Sequence, residues 1–360
     1  MRILFALPGL HRVDRGAEIA FISVARELAR TGHEITLLGS GPQRPGEPYR
    51  YLRAPAIKRE RFEKFPKVPM LRGETSWEEA SFVPGLILRF KPSDYDVTVT
   101  CAYPFTNLAL RRPAFGHRPK HVFVTQNGDW AACSDDAEFR LFDCDGLVCT
   151  NPDYLERNAK RYRSVLIPNG VNLDRFRPGQ SDRAAFGLPS DGPIVLMVSA
   201  LIASKNVREG VVAVAAIPNA VLVVAGDGPL RDEIHDQARQ LLPDRFVNLT
   251  VTADRMPDLY RTADVFLHLS VDESFGNVFL EAMATGLPVV AYEYDRTRWI
   301  VGDEAFFADR SDPASLPARL TAALAAQSEL KDAMSQRTQS FGWPAIAAQY
   351  ETFFKDLCAK

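Results

Sequence analysis

The chain lacks most of what would make it secreted, membrane-spanning or stapled by metal. Its 360 residues hold five cysteines, Cys101, Cys133, Cys144, Cys149 and Cys358, an odd number with no Cys-x-x-Cys spacing. That argues against a disulfide framework and a structural zinc site, and a reduced, cytoplasmic compartment is the expectation. No apolar run approaches the ~20 residues of a membrane span. The opening Met-Arg-Ile-Leu-Phe-Ala-Leu-Pro is too short for a secretory signal and reads as a first β-strand. A formal net charge of −2 gives no global attraction for nucleic acid. The dinucleotide fingerprint Gly-x-Gly-x-x-Gly is absent, as are internal repeats and low-complexity tracts.

What is present is ordinary globular composition, 46% hydrophobic and 24% charged, in a chain long enough for two domains. Short β-branched runs alternate with amphipathic stretches, the pattern of parallel α/β architecture. In the first half, strands read at Ile3–Leu7, Glu34–Leu38, Asp96–Cys101, His121–Thr125, Gly146–Thr150 and Val165–Ile167. Helices read at Ala17–Arg30, Pro104–Leu110, Asp135–Phe142 and Pro152–Arg163. The first helix places Ile19, Ile22, Ala25, Leu28 and Ala29 on one face, and Gly32 ends it.

The alternation restarts beyond a Pro- and Gly-rich break at about residues 170–192. Strands follow at Ile194–Ser199, Ala220–Ala225, Val247–Val251, Val265–Leu269 and Pro288–Ala291, with helices near Val207–Ala216, Pro229–Leu241, Met256–Thr262 and Asn277–Thr285. The expected domains are therefore residues 1–178 and 179–342. Helices continue from Ala314 to Cys358, and Phe341-Gly-Trp-Pro344 redirects the last of them, 343–360. Two doubly wound domains facing each other would line one cleft with the C-terminal ends of their strands, where such sheets bind ligands.

The strongest chemical signal is Glu273-Ser-Phe-Gly-Asn-Val-Phe-Leu-Glu281, followed by Ala-Met-Ala-Thr-Gly-Leu-Pro-Val-Val. Two carboxylates bracket a glycine turn that opens a helix. Amides at a helix start favour an anion, and carboxylates grip hydroxyl groups. Phosphate beside polyol is the profile of a nucleotide sugar. Three weaker signals agree with it. Gly16 leads a loop into the first helix, Lys205 lies just beyond a strand end, and Ala225-Gly-Asp-Gly-Pro229 makes a tight turn. Each has an ordinary explanation by itself: an exposed Glu, a turn Gly, a solvated Lys.

Together these pieces resemble the retaining GT-B glycosyltransferases of family four (glycosyl transferases group 1), over nearly the whole chain. Further matching segments are Gly16-Ala-Glu18, Ile167-Pro-Asn-Gly-Val-Asn-Leu-Asp-Arg-Phe-Arg-Pro178 and Tyr260-Arg-Thr-Ala-Asp-Val265. The resemblance implies an α/β GT-B fold of two Rossmann-like domains facing a central cleft, with the C-terminal helix crossing back to the first. The implied activity is hexosyl transfer in carbohydrate biosynthesis, from a UDP- or GDP-linked sugar to a hydroxyl acceptor. No metal and no cofactor beyond the donor substrate are implied.

By position, Glu281 would hold the donor ribose. Glu273 and the backbone of Ser274, Phe275, Gly276, Asn277 and Val278 would bind the transferred sugar and its phosphate. Lys205 and the Gly16 amide would stabilise the departing diphosphate, and the base would rest near Val251–Met256. Two departures stand out. The family usually carries an arginine five residues before the lysine, where this chain has Ala200; Arg12, Arg15 or Arg208 would substitute. Where many members have a histidine, this chain reads Gln126-Asn-Gly-Asp-Trp130. Gln126 and Asn127 would contact acceptor hydroxyls, and Asp129 would accept a proton if it faces the cleft.

Arg53–Arg72 interleaves basic residues with Phe62, Phe65, Val68, Met70 and Leu71. It reads as a solvated loop whose aromatics cover the core, or as a contact with an anionic membrane surface or an acidic acceptor. The acceptor class stays open among small molecules, glycans and lipid-linked species. His11 reads as an exposed loop residue and His268 as a buried, hydrogen-bonded one. Ala200 and the missing histidine leave room for a non-catalytic nucleotide-sugar-binding protein, and the same frame would serve a sugar-nucleotide epimerase.

Overall fold

The computed structural model describes residues 1–111, 117–271 and 273–359. The chain divides into two compact units, Met1–Asn169 with Trp343–Lys360, and Gly170–Gly342. The first contains β1 (Arg2–Ala6), α1 (Gly16–Arg30), β2 (Glu34–Gly39), β3 (Arg50–Arg53), α2 (Glu74–Arg89), β4 (Val97–Thr100) and α3 (Phe105–Arg111). It continues with β5 (Lys120–Val124), α4 (Trp130–Cys133), β6 (Gly146–Cys149), α5 (Pro152–Asn158) and β7 (Ser164–Leu166).

The second unit contains β8 (Ile194–Val198), α6 (Val207–Ala215), β9 (Val221–Ala225), α7 (Arg231–Leu241), β10 (Phe246–Leu249), α8 (Met256–Thr262) and β11 (Val265–His268). Then come α9 (Asn277–Ala284), β12 (Val289–Tyr292), α10 (Asp295–Val301), β13 (Phe306–Ala308), α11 (Leu316–Ala325) and α12 (Gln327–Arg337). The last helix, α13 (Trp343–Cys358), belongs to the first unit.

The first sheet runs β3-β2-β1-β4-β5-β6-β7 and the second β10-β9-β8-β11-β12-β13. Every paired strand is parallel. The central strands are buried on both faces, so near-continuous Val, Ile and Leu is what they need. β9 (VLVVA) and β4 (VTVT) are buried throughout. Asp264, from the Tyr260–Val265 motif, fixes the entry to β8: its Oδ2 accepts the Ile194 amide at 2.7 Å and Arg183 Nη2 at 2.8 Å.

In the first unit the sheet face is covered by α1 and α13. The buried face of α1 is Ala17, Ala20, Phe21, Ile22, Val24, Ala25 and Leu28, whereas Ile19 is exposed. Of the face expected from periodicity, Ile22, Ala25 and Leu28 are buried and Ala29 packs against the same core, so only Ile19 is displaced; Phe21, stacked edge-on to Phe5, is central to the face observed. Helix α13 supplies Trp343, Ile346, Tyr350, Phe353, Phe354 and Leu357 to the same core. Pro344 sits in its first turn, where no backbone donor is required.

Four elements escaped the sequence reading: β3, α2, α10 and β13. Helix α2 carries Pro84 and Gly85 in its interior, a breaker pattern. Gly85 serves packing there, because a Cβ would lie 3.1 Å from that of Ala54. The helix expected at Asp135–Phe142 is instead α4 followed by a 3-10 turn at Ala137–Leu141, split where Ser134 turns extended. Helix α5 ends at Asn158 rather than Arg163.

Within Arg53–Arg72, Phe62 is buried and stacks on Trp77 of α2, and Phe65 meets the same indole edge-on. Phe65 and Val68 nevertheless remain 46% and 40% exposed. Lys58, Arg61, Lys64, Lys67 and Arg72 are exposed around them.

Burial sets a simple expectation. Phe354→Ala removes a fully buried ring and should cost about 3–5 kcal/mol. Leu88→Ala, at a residue 82% exposed, should fall within about 0.5 kcal/mol of the parent. Urea unfolding of the two variants checks both.

Candidate active site

In the second unit the residues singled out from sequence collect at the C-terminal ends of the strands. Lys205 closes a 3-10 turn after β8, and Asn206 follows in a left-handed conformation (φ 52°) at the start of α6. Asn206 Nδ2 donates to the Leu269 carbonyl at 2.9 Å, which ties this turn to the end of β11. The turn after β9 packs against the same segment. A Cβ on Gly226 would lie 2.0 Å from the Ser199 carbonyl, and one on Gly228 2.5 Å from that of Leu201. Only glycine permits this approach, so the Gly-Asp-Gly turn is a packing requirement.

Lys205 Nζ donates to Oε1 of Glu273 and, at 3.2 Å, to Ser270 Oγ. His268 Nε2 lies 3.3 Å from the same carboxylate oxygen, but not aligned as a hydrogen bond, so Lys205 is the firmer partner. Burial pushes the Glu273 carboxyl up, yet His268 and Lys205 outweigh it and hold it down at about 2. Arg296, from the first turn of α10, donates to the Glu273 main-chain carbonyl. Gly276 (φ 88°) then turns the chain into α9, with no side-chain cap on that helix. Phe275 is buried against Trp299 and Phe341, whereas Ser274, Asn277 and Val278 are partly exposed at the helix entrance.

Glu281, within α9, accepts a hydrogen bond from the Tyr260 hydroxyl at 2.9 Å. Burial drives its carboxyl up to about 7, against the opposing pull of Tyr260 and Arg175. Arg175 Nη2 also donates to the Ala253 carbonyl at 2.7 Å, on the loop between β10 and α8 expected to receive a base. The two glutamates thus have opposite electrostatics: Glu273 is an ion-paired carboxylate, and Glu281 is held close to neutrality. Neither Tyr260 nor Arg296 was singled out as a site residue. No local spacing marks them, since each partner lies more than a dozen residues away.

In the first unit Gly16 is the exposed first residue of α1. The neighbouring cations are engaged with carboxylates: Arg12 pairs with Glu78, and Arg15 Nη1 lies 3.9 Å from Glu18 and Glu78. His11, expected to be exposed, is buried. It stacks on Tyr51 with ring centroids 4.1 Å apart and bonds the Tyr49 hydroxyl at 2.8 Å.

Gln126 and Asn169 form a reciprocal amide pair at 2.6 and 3.0 Å. Asn127 is exposed beside them. Asp129 is buried and bidentate to Arg157 at 2.8 and 3.0 Å, with Asn158 Nδ2 also donating to it at 2.9 Å. That arrangement corrects the reading of Asp129 as proton acceptor. Its oxygens face α5, and its role is to anchor the loop after β5. Two Asp-x-Asp spacings are likewise structural. Asp96 of Asp94-Tyr-Asp96 pairs with Arg2, while Asp143 and Asp145 face Arg111 and Arg118. Among the described residues no His, Cys, Asp or Glu cluster is arranged to hold a metal ion.

Residues 15–175 match the family model "Glycosyltransferase Family 4", and residues 179–341 match "Glycosyl transferases group 1". Both halves of the chain are glycosyltransferase domains. A lipopolysaccharide core biosynthesis glycosyltransferase of Rhizobium meliloti, LpsE, is 30% identical over 205 residues, 55% of this chain and 58% of that one. The chain spans roughly half the length of the curated relatives it matches. Sucrose-phosphate synthase from Thermosynechococcus elongatus superposes with a TM-score of 0.78 at 23% identity, covering 99% of each chain. The Anabaena HepE protein, solved with UDP-glucose, gives 0.74 at 18% identity over 99% of this chain and all of that one. The fold of this chain is GT-B.

The two carboxylates give the second unit opposite stability signatures. Glu273 is depressed to about 2 from an ordinary 4.5, so its contribution is complete above about pH 4.5 and is lost as pH falls toward 2. Glu281 is raised to about 7, so ionising it costs stability as pH climbs from 4.5 through 7. Urea melts should show Glu273→Gln most harmful, relative to the parent, above pH 5 and less so toward pH 2. Glu281→Gln should become relatively more favourable between pH 5 and pH 8. Parallel pH dependences for the two variants would contradict these assignments.

Proposed function

We propose that this glycosyltransferase moves a hexosyl group from a UDP- or GDP-linked sugar to a hydroxyl acceptor, with retained stereochemistry and without a metal ion. The observation that carries the reading is the Lys205–Glu273 pair at the entrance to α9. It sets a fixed cation, a carboxylate and a helix start in one short stretch, which suits a sugar joined to a diphosphate. The likeness to HepE, which was solved with UDP-glucose, supports a nucleotide-sugar donor.

In this reading Glu281 takes the ribose hydroxyls, Glu273 the transferred sugar, and Lys205 the departing diphosphate. The backbone from Ser274 to Val278 binds the sugar phosphate, and the Gly16 amide assists at the diphosphate. Asn127 would face acceptor hydroxyls. The bond from the sugar's anomeric carbon to the diphosphate oxygen breaks, and a bond to the acceptor oxygen forms on the same face. The acceptor proton then passes to the departing phosphate oxygen, which requires no side-chain base. Charge building on the diphosphate is met by cations already in place.

The acceptor is proposed to be lipid-linked, with the protein acting in the cytoplasm and peripherally at a membrane. Support comes from the exposed Lys58, Arg61, Lys64 and Lys67 interleaved with exposed Phe65 and Val68. Each basic residue near an anionic surface is worth about 1 kcal/mol. Sedimentation with phosphatidylglycerol vesicles should retain the parent and release a variant with those four cations changed to Glu. Equal retention of both would remove the membrane proposal.

Thermal-shift screening with UDP-, GDP-, ADP- and dTDP-sugars should raise the melting temperature with at least one of them. Glu281→Ala should chiefly weaken donor binding, and Glu273→Ala should chiefly lower turnover. Binding without turnover over a broad acceptor panel would point to a non-catalytic binder, and a new sugar nucleotide formed without acceptor to an epimerase. A donor panel that is neither bound nor hydrolysed would sink the proposal.

A further inference from the structure

Lys205 has two duties that exclude each other. Its Nζ pairs with Oε1 of Glu273 and reaches Ser270 Oγ at 3.2 Å. In the donor reading given above, the same ammonium meets the departing diphosphate. A largely buried carboxylate that loses its cation is costly unless another donor receives it.

His268 is placed to receive it. It is the last residue of β11 and only 3% exposed. Its ring is clamped on two sides. It stacks on Phe266 at an interplanar angle of 13°, centroids 6.0 Å apart, and meets Phe279 of α9 edge-on at 4.7 Å. Nε2 lies 3.3 Å from Glu273 Oε1, the same atom that Lys205 holds, but out of line for a hydrogen bond. That nitrogen has no hydrogen-bond partner among the described residues. A buried polar atom in that condition is rare enough to call for a reason. The other charged groups nearby are engaged: Arg296 donates to the Glu273 main-chain carbonyl, and Glu281 accepts from Tyr260.

We propose that His268 is a positioning residue that takes over the Glu273 carboxylate when Lys205 turns to the diphosphate. The inference rests on the donor reading. A small turn of the carboxylate brings Oε1 into line with the Nε2–H of the imidazole. Glu273 then stays ionised and keeps its direction while the lysine acts on the leaving group. The aromatic clamp fixes the ring, so the carboxylate moves and the imidazole does not. Packing alone would be served as well by an apolar side chain, which would leave no orphaned nitrogen beside the carboxylate.

Two cycles of variants test the exchange. The first uses no ligand. In urea unfolding at about pH 7, His268→Phe should raise the unfolding constant about 5- to 10-fold more in a Lys205→Met chain than in the parent, because each partner covers for the other. His268→Leu repeats the comparison with a smaller side chain. Equal effects in the two backgrounds would reduce His268 to packing and overturn the proposal.

The second cycle is calorimetric titration of the full chain with UDP and GDP. His268→Phe should weaken the diphosphate that the parent binds by about 5- to 10-fold. With Glu273→Gln already in place the same change should cost less than about twofold, since no charge is then left behind. An equal loss in both backgrounds, or none in either, overturns the take-over. If the parent binds neither nucleotide, the donor reading falls and the turn of Lys205 with it, while the unfolding cycle still reports whether Lys205 and His268 share Glu273.

Discussion

The contact between Lys205 and Glu273 is the constraint around which the second unit is arranged. A carboxylate that is largely buried must be paired, and the pairing fixes more than two side chains. Asn206 ties the lysine turn to the end of β11, and Gly226 and Gly228 let the β9 turn press on the backbone just before it. Arg296 closes the far side. What reads in the sequence as a scatter of separate motifs becomes, in the fold, the ends of four adjacent strands, β9, β8, β11 and β12.

The first unit is organised differently. Its candidate polar residues are already satisfied by one another: Gln126 by Asn169, Asp129 by Arg157 and Asn158, Arg12 by Glu78. Buried polar groups joined in this way set loop shape and resist repacking. They hold the loops after β1 and β5 rigidly enough to present exposed residues such as Asn127 and Gly16. Glu79 belongs to the same class: its carboxyl accepts the Thr106 amide at 2.8 Å, and burial carries it up to about 7.

The interior strands were legible because burial on both faces leaves a plain signal, an unbroken run such as Val221–Ala225. The elements that were missed lack it. β3 (RYLR) is a half-exposed edge with charges at both ends, and α2 hides behind Pro84 and Gly85. The glutamates of the candidate site were legible because they share one short segment. Their partners were not. Tyr260 reaches Glu281 across 21 positions, and Arg157 reaches Asp129 across 28. Pairings of that kind are made by strand order, which no local spacing encodes. His11 shows the same limit, since the loop that carries it folds under Tyr49 and Tyr51.

The placement of α13 has a consequence for how the chain can be divided. The second unit enters and leaves by adjacent paths: the Val171 amide donates to the Phe341 carbonyl at 2.9 Å, and Val171 bridges to Gly342. It is therefore an insertion within the first unit, with its two ends stitched together. Residues 170–342 form a block with neighbouring termini, suited to excision or exchange as one piece. A cut after Gly342, by contrast, removes a wall of the first unit's core rather than a tail.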